Sequence, residues 1–326
     1  MRAVHATEAG GPEVLTVVDL PEEPPGAGEV RVEVAAAGVN FVDTYRRSGV
    51  YPVKYPHVVG DEGAGTVVEV GEGVTELAIG DHVAWASAPG SYAERVNVPV
   101  AQAIPVPAGI DHHTAAALPL QGMTAHYLSS STFPISPGDV ALVHAGAGGV
   151  GLLLTQLVVR RGGRVISTVS TEEKELLSRD AGAEHVIRYT ELDNLTTELP
   201  QLVRDLTGGR GVDVVYDGVG RTTFDASLAS LRPRGMLVLF GGSSGQVPPF
   251  DLQRLNAAGS LFVTRPTLAH YIADRAELVW RAADLFNAVL EGLSVRIGQE
   301  FPLTEAAAAH AALEGRKTTG KVLLVP

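Results

Sequence analysis

The segment His144-Ala-Gly146-Ala-Gly148-Gly149-Val150-Gly151 carries glycines in the order G-x-G-x-x-G, directly after the apolar run Val140–Val143. A turn of this kind between a strand and a helix takes a dinucleotide pyrophosphate, because helix N–H groups face the phosphates. Gly146 is expected to make the turn, Gly148 to let the phosphates approach the backbone, and Gly151 to let helix and strand pack closely. An NAD enzyme would place an acid about twenty residues further on, for the ribose 2′-hydroxyl. Here the second strand ends in Ser170-Thr171-Glu172-Glu173-Lys174, and Arg188-Tyr189 follow the third. Hydroxyls, a cation and a tyrosine can clasp a 2′-phosphate, which favours NADPH. The two glutamates count against this unless they point to solvent as a first helical turn, where acids suit the helix dipole.

A second cluster lies in Gly38–Pro52, where Asn40, Asp43, Thr44, Tyr45, Arg46 and Tyr51 are grouped. Phenols and amides can orient a carbonyl and give up a proton once hydride has arrived. The alternative is a solvated loop whose tyrosines pack on the core. Three further candidates read as structural. His112-His113 point in different directions on a helix and form a surface pair at its start. His310 stands on an alanine-rich helix with no partner at helical spacing, so a structural or solvated role is expected. Ser243-Ser244 lack the G-x-S-x-G of a nucleophile elbow and fit a cofactor-side loop.

These residues need two kinds of scaffold. The first third reads as short valine-rich strands (Val14–Asp19, Glu29–Ala35, Gly65–Val70, His82–Ala86, Ala93–Val98) between Gly/Pro turns, which predicts a small barrel or partly closed sheet. Asp111 is a candidate N-cap for a helix that Pro119 kinks or breaks. From Val140 onward, β-branched strands alternate with amphipathic helices, the pattern of a parallel, doubly wound sheet covered on both faces. Two helices near Arg275–Leu290 and Glu305–Leu313 precede a last strand, KVLLV, expected to return to the first domain.

With 326 residues, 45% apolar and 19% charged, the chain has material for two domains. A formal charge of -12 argues against nucleic acid and anionic membranes. The absence of cysteine excludes disulfides, a catalytic thiol and thiolate-bound zinc. The apolar stretch Val140–Val159 fits a buried strand–turn–helix better than a membrane span, and no signal-peptide core precedes it, so a cytoplasmic enzyme is expected.

GGPEVL, AAAGVNFVDTYRRSGVYP, GDEGAGTVVEVGEGV, GDHVAW, HAGAGGVG, VVYDGVG, FGGSSG, LFVTRPTLAHYI and TGKVLL run nearly end to end. In these the chain resembles the quinone oxidoreductase (zeta-crystallin-like) family of the medium-chain dehydrogenase/reductase superfamily. The resemblance implies an α/β fold: a Rossmann domain over 125–266, inserted in a GroES-like β-rich catalytic domain over 1–124 and 267–326. Zinc alcohol dehydrogenases carry a cysteine ligand where this chain has Asn40. Their Gly-His-Glu is Gly60-Asp61-Glu62 here, and the structural-zinc lobe is missing between Ala86 and Ser91, so no metal is expected. Without a Lewis acid, alcohol oxidation is disfavoured and acceptors such as quinones or conjugated enones are favoured.

The resemblance also implies a cofactor map. Asn40, Phe41, Asp43 and Tyr45 lie along the nicotinamide side, with Thr124 and Tyr127 nearby. Gly149 and Val150 meet the pyrophosphate, with Gly146, Gly148 and Gly151 shaping the turn. Ser170, Thr171, Lys174 and Tyr189 hold the adenosine phosphate, while Val219, Gly241, Gly242, Ser243, Ser244, Phe262, Val263 and Thr264 form the far wall. Asn40, Tyr45, Tyr51 and Gln121 are the expected catalytic residues. The implied activity is NADPH:quinone reduction. An NADPH-dependent enone reductase and an NADPH-binding structural or sensing protein are the alternatives. A homodimer is implied, joined by sheet extension near Gly259–Thr264.

Overall fold

The computed structural model describes all 326 residues. The chain forms two compact units, Met1–Met123 with Ile272–Pro326, and Thr124–Tyr271.

The first unit is built on a seven-stranded sheet. Its strands are β3 (Glu29–Val39), β5 (Glu62–Val70), β6 (His82–Trp85), β7 (Arg95–Pro99), β8 (Ile104–Pro105), β15 (Ile297–Pro302) and β16 (Lys321–Val325). A smaller sheet holds β1 (Arg2–Ala6), β2 (Leu15–Asp19) and β4 (His57–Val58). β3 runs four residues past the expected Ala35, because Ala36–Val39 is buried and pairs with both β5 and β16. β16 lies antiparallel to β3, with Val322 opposite Val39, so the end of the chain completes a sheet begun near its start. β15 escapes a propensity reading since its sequence, IGQEFP, is that of an edge strand: it pairs only with β16.

Four helices serve this unit: α1 (Phe41–Arg47), α2 (His112–Ala117), α10 (Arg275–Leu290) and α11 (Ala306–Glu314). Asp111 caps α2 by accepting from Thr114 N at 2.9 Å. The helix ends at Leu118, and Pro119 opens α3 (Pro119–Tyr127), where its missing N–H costs nothing. The core gathers valines from β3, β5, β6, β7 and β16 around Trp85 and Tyr92.

The second unit is a six-stranded parallel sheet in the order β11-β10-β9-β12-β13-β14. These are β9 (Val140–Val143), β10 (Arg164–Val169), β11 (His185–Arg188), β12 (Val212–Asp217), β13 (Leu231–Leu239) and β14 (Phe262–Thr264). Counted from β9 the order is 3-2-1-4-5-6, that of a dinucleotide-binding doubly wound fold. The helices connecting them include α4 (Gly149–Arg160), α5 (Glu172–Asp180), α6 (Leu195–Leu206) and α7 (Phe224–Ser230). The strand order reverses between β9 and β12, which pair in parallel, and ligands of such sheets bind beyond the carboxyl ends of the strands at that point. No helix of the chain is long and apolar enough to cross a membrane.

Candidate active site and cofactor site

In the second unit the chain leaves β9 through His144 and Ala145, the latter in the left-handed region at φ 53. A Cβ on Gly146 would fall 1.7 Å from Ser167 Oγ, and one on Gly151 would fall 2.4 Å from the Ala145 carbonyl oxygen. Both glycines are therefore demanded by packing of the turn against β10 and of α4 against the turn. The N-cap of α4 is Gly148, which has no side chain to close the first turn. Gly149 and Val150 therefore open the helix with N–H groups that no capping side chain takes up. α5 differs, since Thr171 Oγ1 accepts from Lys174 N and caps it.

The loop is held from beneath by a buried polar network. His144 Nδ1 meets Thr168 Oγ1 at 2.9 Å, and its Nε2 meets Ser227 Oγ at 3.0 Å. Ser227 Oγ donates to Asp217 at 2.8 Å, as does Thr223 Oγ1. Asp217 Oδ1 also accepts from Val219 N and Gly220 N. Burial lowers the His144 pKa, which keeps the imidazole neutral. The network ties the ends of β9, β10 and β12 together. His144 and Asp217 went unassigned in the sequence, because only the fold brings residues 83 apart to one imidazole.

Beyond the glycine turn, candidate cofactor residues of this unit gather in two further places, and others stand apart from both. Val219 and Ser244 are joined by two hydrogen bonds of 2.8 Å, and Ser243 N donates to Gly218, so the loops after β12 and β13 close on each other. Ser170 and Tyr189 follow the adjacent strands β10 and β11, and Thr190 Oγ1 donates to Ser170 O. Lys174 sits in the first turn of α5, while Glu172 and Glu173 are exposed there. Arg188 is engaged by Glu175 and Glu191. Phe262, Val263 and Thr264 stand apart on the edge strand β14, where Phe262 and Val263 are exposed. Tyr127 is buried and stacks on Tyr271 with centroids 4.2 Å apart, and Thr124 is buried as well.

In the first unit, α1 presents the second candidate cluster. Phe41 and Tyr45 lie on successive turns with centroids 6.2 Å apart, and Tyr51 meets Tyr45 edge-on at 5.4 Å. Tyr51 is partly exposed, and its N–H donates to Tyr45 O. Asn40, the N-cap, is buried and fully committed. Its Oδ1 accepts from Lys321 Nζ at 2.8 Å and Gln121 Nε2 at 3.2 Å, and its Nδ2 donates to Glu62 Oε2 and Gly38 O. Two donors and two acceptor sites exhaust an amide. Lys321 Nζ also donates to Glu62 Oε2, and Glu62 Oε1 accepts from Leu120 N. An ammonium thus holds Asn40 and Glu62 together, and Lys321 had no assigned role in the sequence. Gln121 Oε1, by contrast, is buried with no partner within the protein. Asp61 pairs with Arg46. No three His, Asp or Glu side chains are grouped so as to hold a metal ion.

Asp43 does not face outward. Its Oδ2 accepts from Asn40 N at 2.8 Å and from Tyr92 Oη at 3.0 Å, and burial pushes its pKa up to about 6 against these bonds and the charges of Lys321 and Arg46. His310, expected to be structural or solvated with no partner at helical spacing, is structural: it is fully buried between Tyr92 Oη at 3.2 Å and Arg47 at 3.1 Å. The partners come from outside its own helix, where helical spacing could not show them.

Residues 26–108 match the family model for the alcohol dehydrogenase GroES-like domain, and residues 149–278 that for zinc-binding dehydrogenase. Quinone oxidoreductase 1 of Escherichia coli strain K12 is 44% identical, with 97% of each chain covered. A 2-haloacrylate reductase of a Burkholderia species is 42% identical over 97% of this chain and 96% of its own. A mycobacterial protein solved in complex with NADPH is 52% identical and superposes with a TM-score of 0.97, covering 100% of both chains. With both family models matched and a quinone oxidoreductase 44% identical over 97% of each chain, this chain belongs to the quinone oxidoreductase (zeta-crystallin-like) family of the medium-chain dehydrogenase/reductase superfamily.

Proposed function

We propose that the chain is an NADPH-dependent quinone oxidoreductase that works without a metal. The observation that carries this reading is the ammonium of Lys321 between Asn40 and Glu62. It commits the polar groups that stand where the related zinc enzymes bind their metal. With no Lewis acid, the acceptor must hold the incoming charge itself, as a quinone does by delocalisation. Relatives bearing the name quinone oxidoreductase, and the NADPH in the mycobacterial and Escherichia coli structures, support it.

When bound, NADPH supplies the hydride. The uncapped N-terminus of α4 fits its pyrophosphate, with Gly149 and Val150 donating. Lys174, Ser170 and Tyr189 would hold the 2′-phosphate, with Glu172 and Glu173 turned to solvent. Gln121 Oε1 offers an acceptor to a ligand donor. Asn40 positions its neighbours, while the Tyr45 or Tyr51 hydroxyl hydrogen-bonds the acceptor oxygen and holds the proton it needs. β14, paired on one side only and carrying exposed Phe262 and Val263, fits a homodimer formed by sheet extension. A cytoplasmic location completes the reading.

The resemblance to a 2-haloacrylate reductase favours a second reading, reduction of a conjugated double bond by the same residues. NADPH and NADH oxidation followed at 340 nm with 1,4-benzoquinone, 9,10-phenanthrenequinone and a conjugated enone, with and without EDTA, separates them. Quinone-dependent NADPH loss indifferent to EDTA is expected. Turnover of the enone alone transfers the assignment to an alkene reductase, and NADPH binding with no turnover to a binding protein.

A further inference from the structure

Four side chains link the interior of α1 to α11. Arg47 Nη1 faces His310 Nδ1 at 3.1 Å, His310 Nε2 faces Tyr92 Oη at 3.2 Å, and Tyr92 Oη faces Asp43 Oδ2 at 3.0 Å. All four are almost completely buried. A guanidinium has no acceptor, so Arg47 must donate and His310 Nδ1 must be bare. The neutral imidazole then carries its hydrogen on Nε2 and donates to Tyr92, whose own hydrogen is left for Asp43. Every bond in the chain therefore points the same way, and it ends on a carboxylate. Burial holds His310 down to about 3, so it stays neutral as this order requires. Glu314 closes the outer end by a two-pronged pair with Arg47.

We infer that Arg47, His310 and Tyr92 form a one-way hydrogen-bond chain that fixes the Asp43 carboxylate, and through it the N-terminus of α1 from Asn40 to Tyr45. Tyr92 and His310 are then positioning residues for the reaction, although neither lies near Asn40 in sequence. The inference rests on the proposed function for the claim that α1 borders cofactor and acceptor. Asp43 is the N3 residue of α1 and accepts from the N-cap N–H of Asn40, so its charge holds the turn that presents these residues. Its Oδ1 is buried without a partner, which leaves one oxygen open to a proton. The charged and titratable groups around it are Arg46 and Arg47 on α1, Lys321 on β16, Glu62 on β5, Tyr92, and His310 and Glu314 on α11. Of these, Arg46, Lys321 and the Tyr92 hydroxyl favour the ionised carboxylate, and burial opposes it. Protonation near pH 6 releases the turn, so activity and NADPH affinity are lost on the acid side.

The test compares wild type, Tyr92→Phe, His310→Ala, His310→Gln and Asp43→Asn from pH 5 to 8.5. NADPH affinity is read by fluorescence, kcat/KM with 1,4-benzoquinone, and Tm at each pH. In wild type both functional quantities should fall below about pH 6. Tyr92→Phe removes a hydrogen bond to the carboxylate and should move this acid limb up by about one pH unit. His310→Ala should move it the same way, and His310→Gln, which can accept from Arg47 and donate to Tyr92, should restore it. Asp43→Asn should have no limb. Variants that lose activity by the same factor at every pH, in step with Tm, would overturn the inference. Because NADPH affinity is read without turnover, a protein that reduces no quinone would sink the functional proposal and still leave the chain decided by its binding profile.

Discussion

Lys321 shows how much one side chain can carry. Its ammonium and the Glu62 carboxylate are both shielded from water, so each relies on the other for its solvation. Lys321→Met should leave a buried, unpaired carboxylate and cost about 3–5 kcal/mol, read as a lower midpoint in urea unfolding. The double variant with Glu62→Gln should recover much of it, because no charge is then stranded. Tyr51→Phe or Tyr45→Phe removes a hydroxyl without a cavity. Whichever tyrosine supplies the proton should lose about 100-fold in kcat/KM with little change in Tm. Lys174→Ala should raise the KM for NADPH about tenfold and leave that for NADH unchanged, since only the former carries the phosphate.

Asp43 also leaves a mark on stability. Its pKa is about 6 in the fold against 3.8 unfolded, so the native state binds the extra proton between those values and stability from this group falls as pH rises through them. His310 does the opposite. Its folded pKa of about 3 lies below 6.5, and the unfolded chain takes the proton, so its contribution rises with pH over about 3 to 6.5. The two slopes oppose each other where they overlap. Asp43→Asn removes one of them, so its Tm should gain on wild type as pH is raised from about 4 to about 6.

The elements that hold these groups owe their shapes to close approach. The strand–turn–helix of β9 and α4 is legible from its glycines, but the reason for Gly146 is not. The atom that forbids a side chain there is Ser167 Oγ on the next strand, itself accepting from Ser178 at 2.8 Å. Gly146→Ala should therefore displace the turn and abolish NADPH binding measured by fluorescence. Adding Ser167→Ala should recover part of it, because the nearest remaining atoms lie at 2.9 and 3.0 Å. In the first unit, α1 is too short to persist alone and depends on its capping by Asp43 and on Arg47, which bonds Gly10 O as well as Glu314.

Across the whole chain, the first unit is assembled from both ends of the sequence. β16 completes the sheet of β3 and brings Lys321 to Asn40, and α11 brings His310 to Tyr92. The sheet of the second unit ends in β14, whose free edge carries Phe262 and Val263. Phe262→Lys should shift the sedimentation coefficient from dimer to monomer, if sheet extension is the contact. An unchanged mass would assign the interface elsewhere.

The sequence by itself determined the doubly wound sheet, the glycine turn on it, the β-rich first third and the lack of thiolate metal ligands, because each rests on local periodicity or residue type. It marked Asn40, Tyr45 and Tyr51 as a group since they are neighbours in the chain. Only the tertiary structure decided what holds them. Lys321 lies 281 residues from Asn40, and His310 lies 218 from Tyr92. No spacing rule reaches across such distances. It was also the fold that turned Asp43 inward and consumed every hydrogen-bonding site of Asn40, because burial sets which polar atoms remain for a ligand and which must be satisfied within the protein.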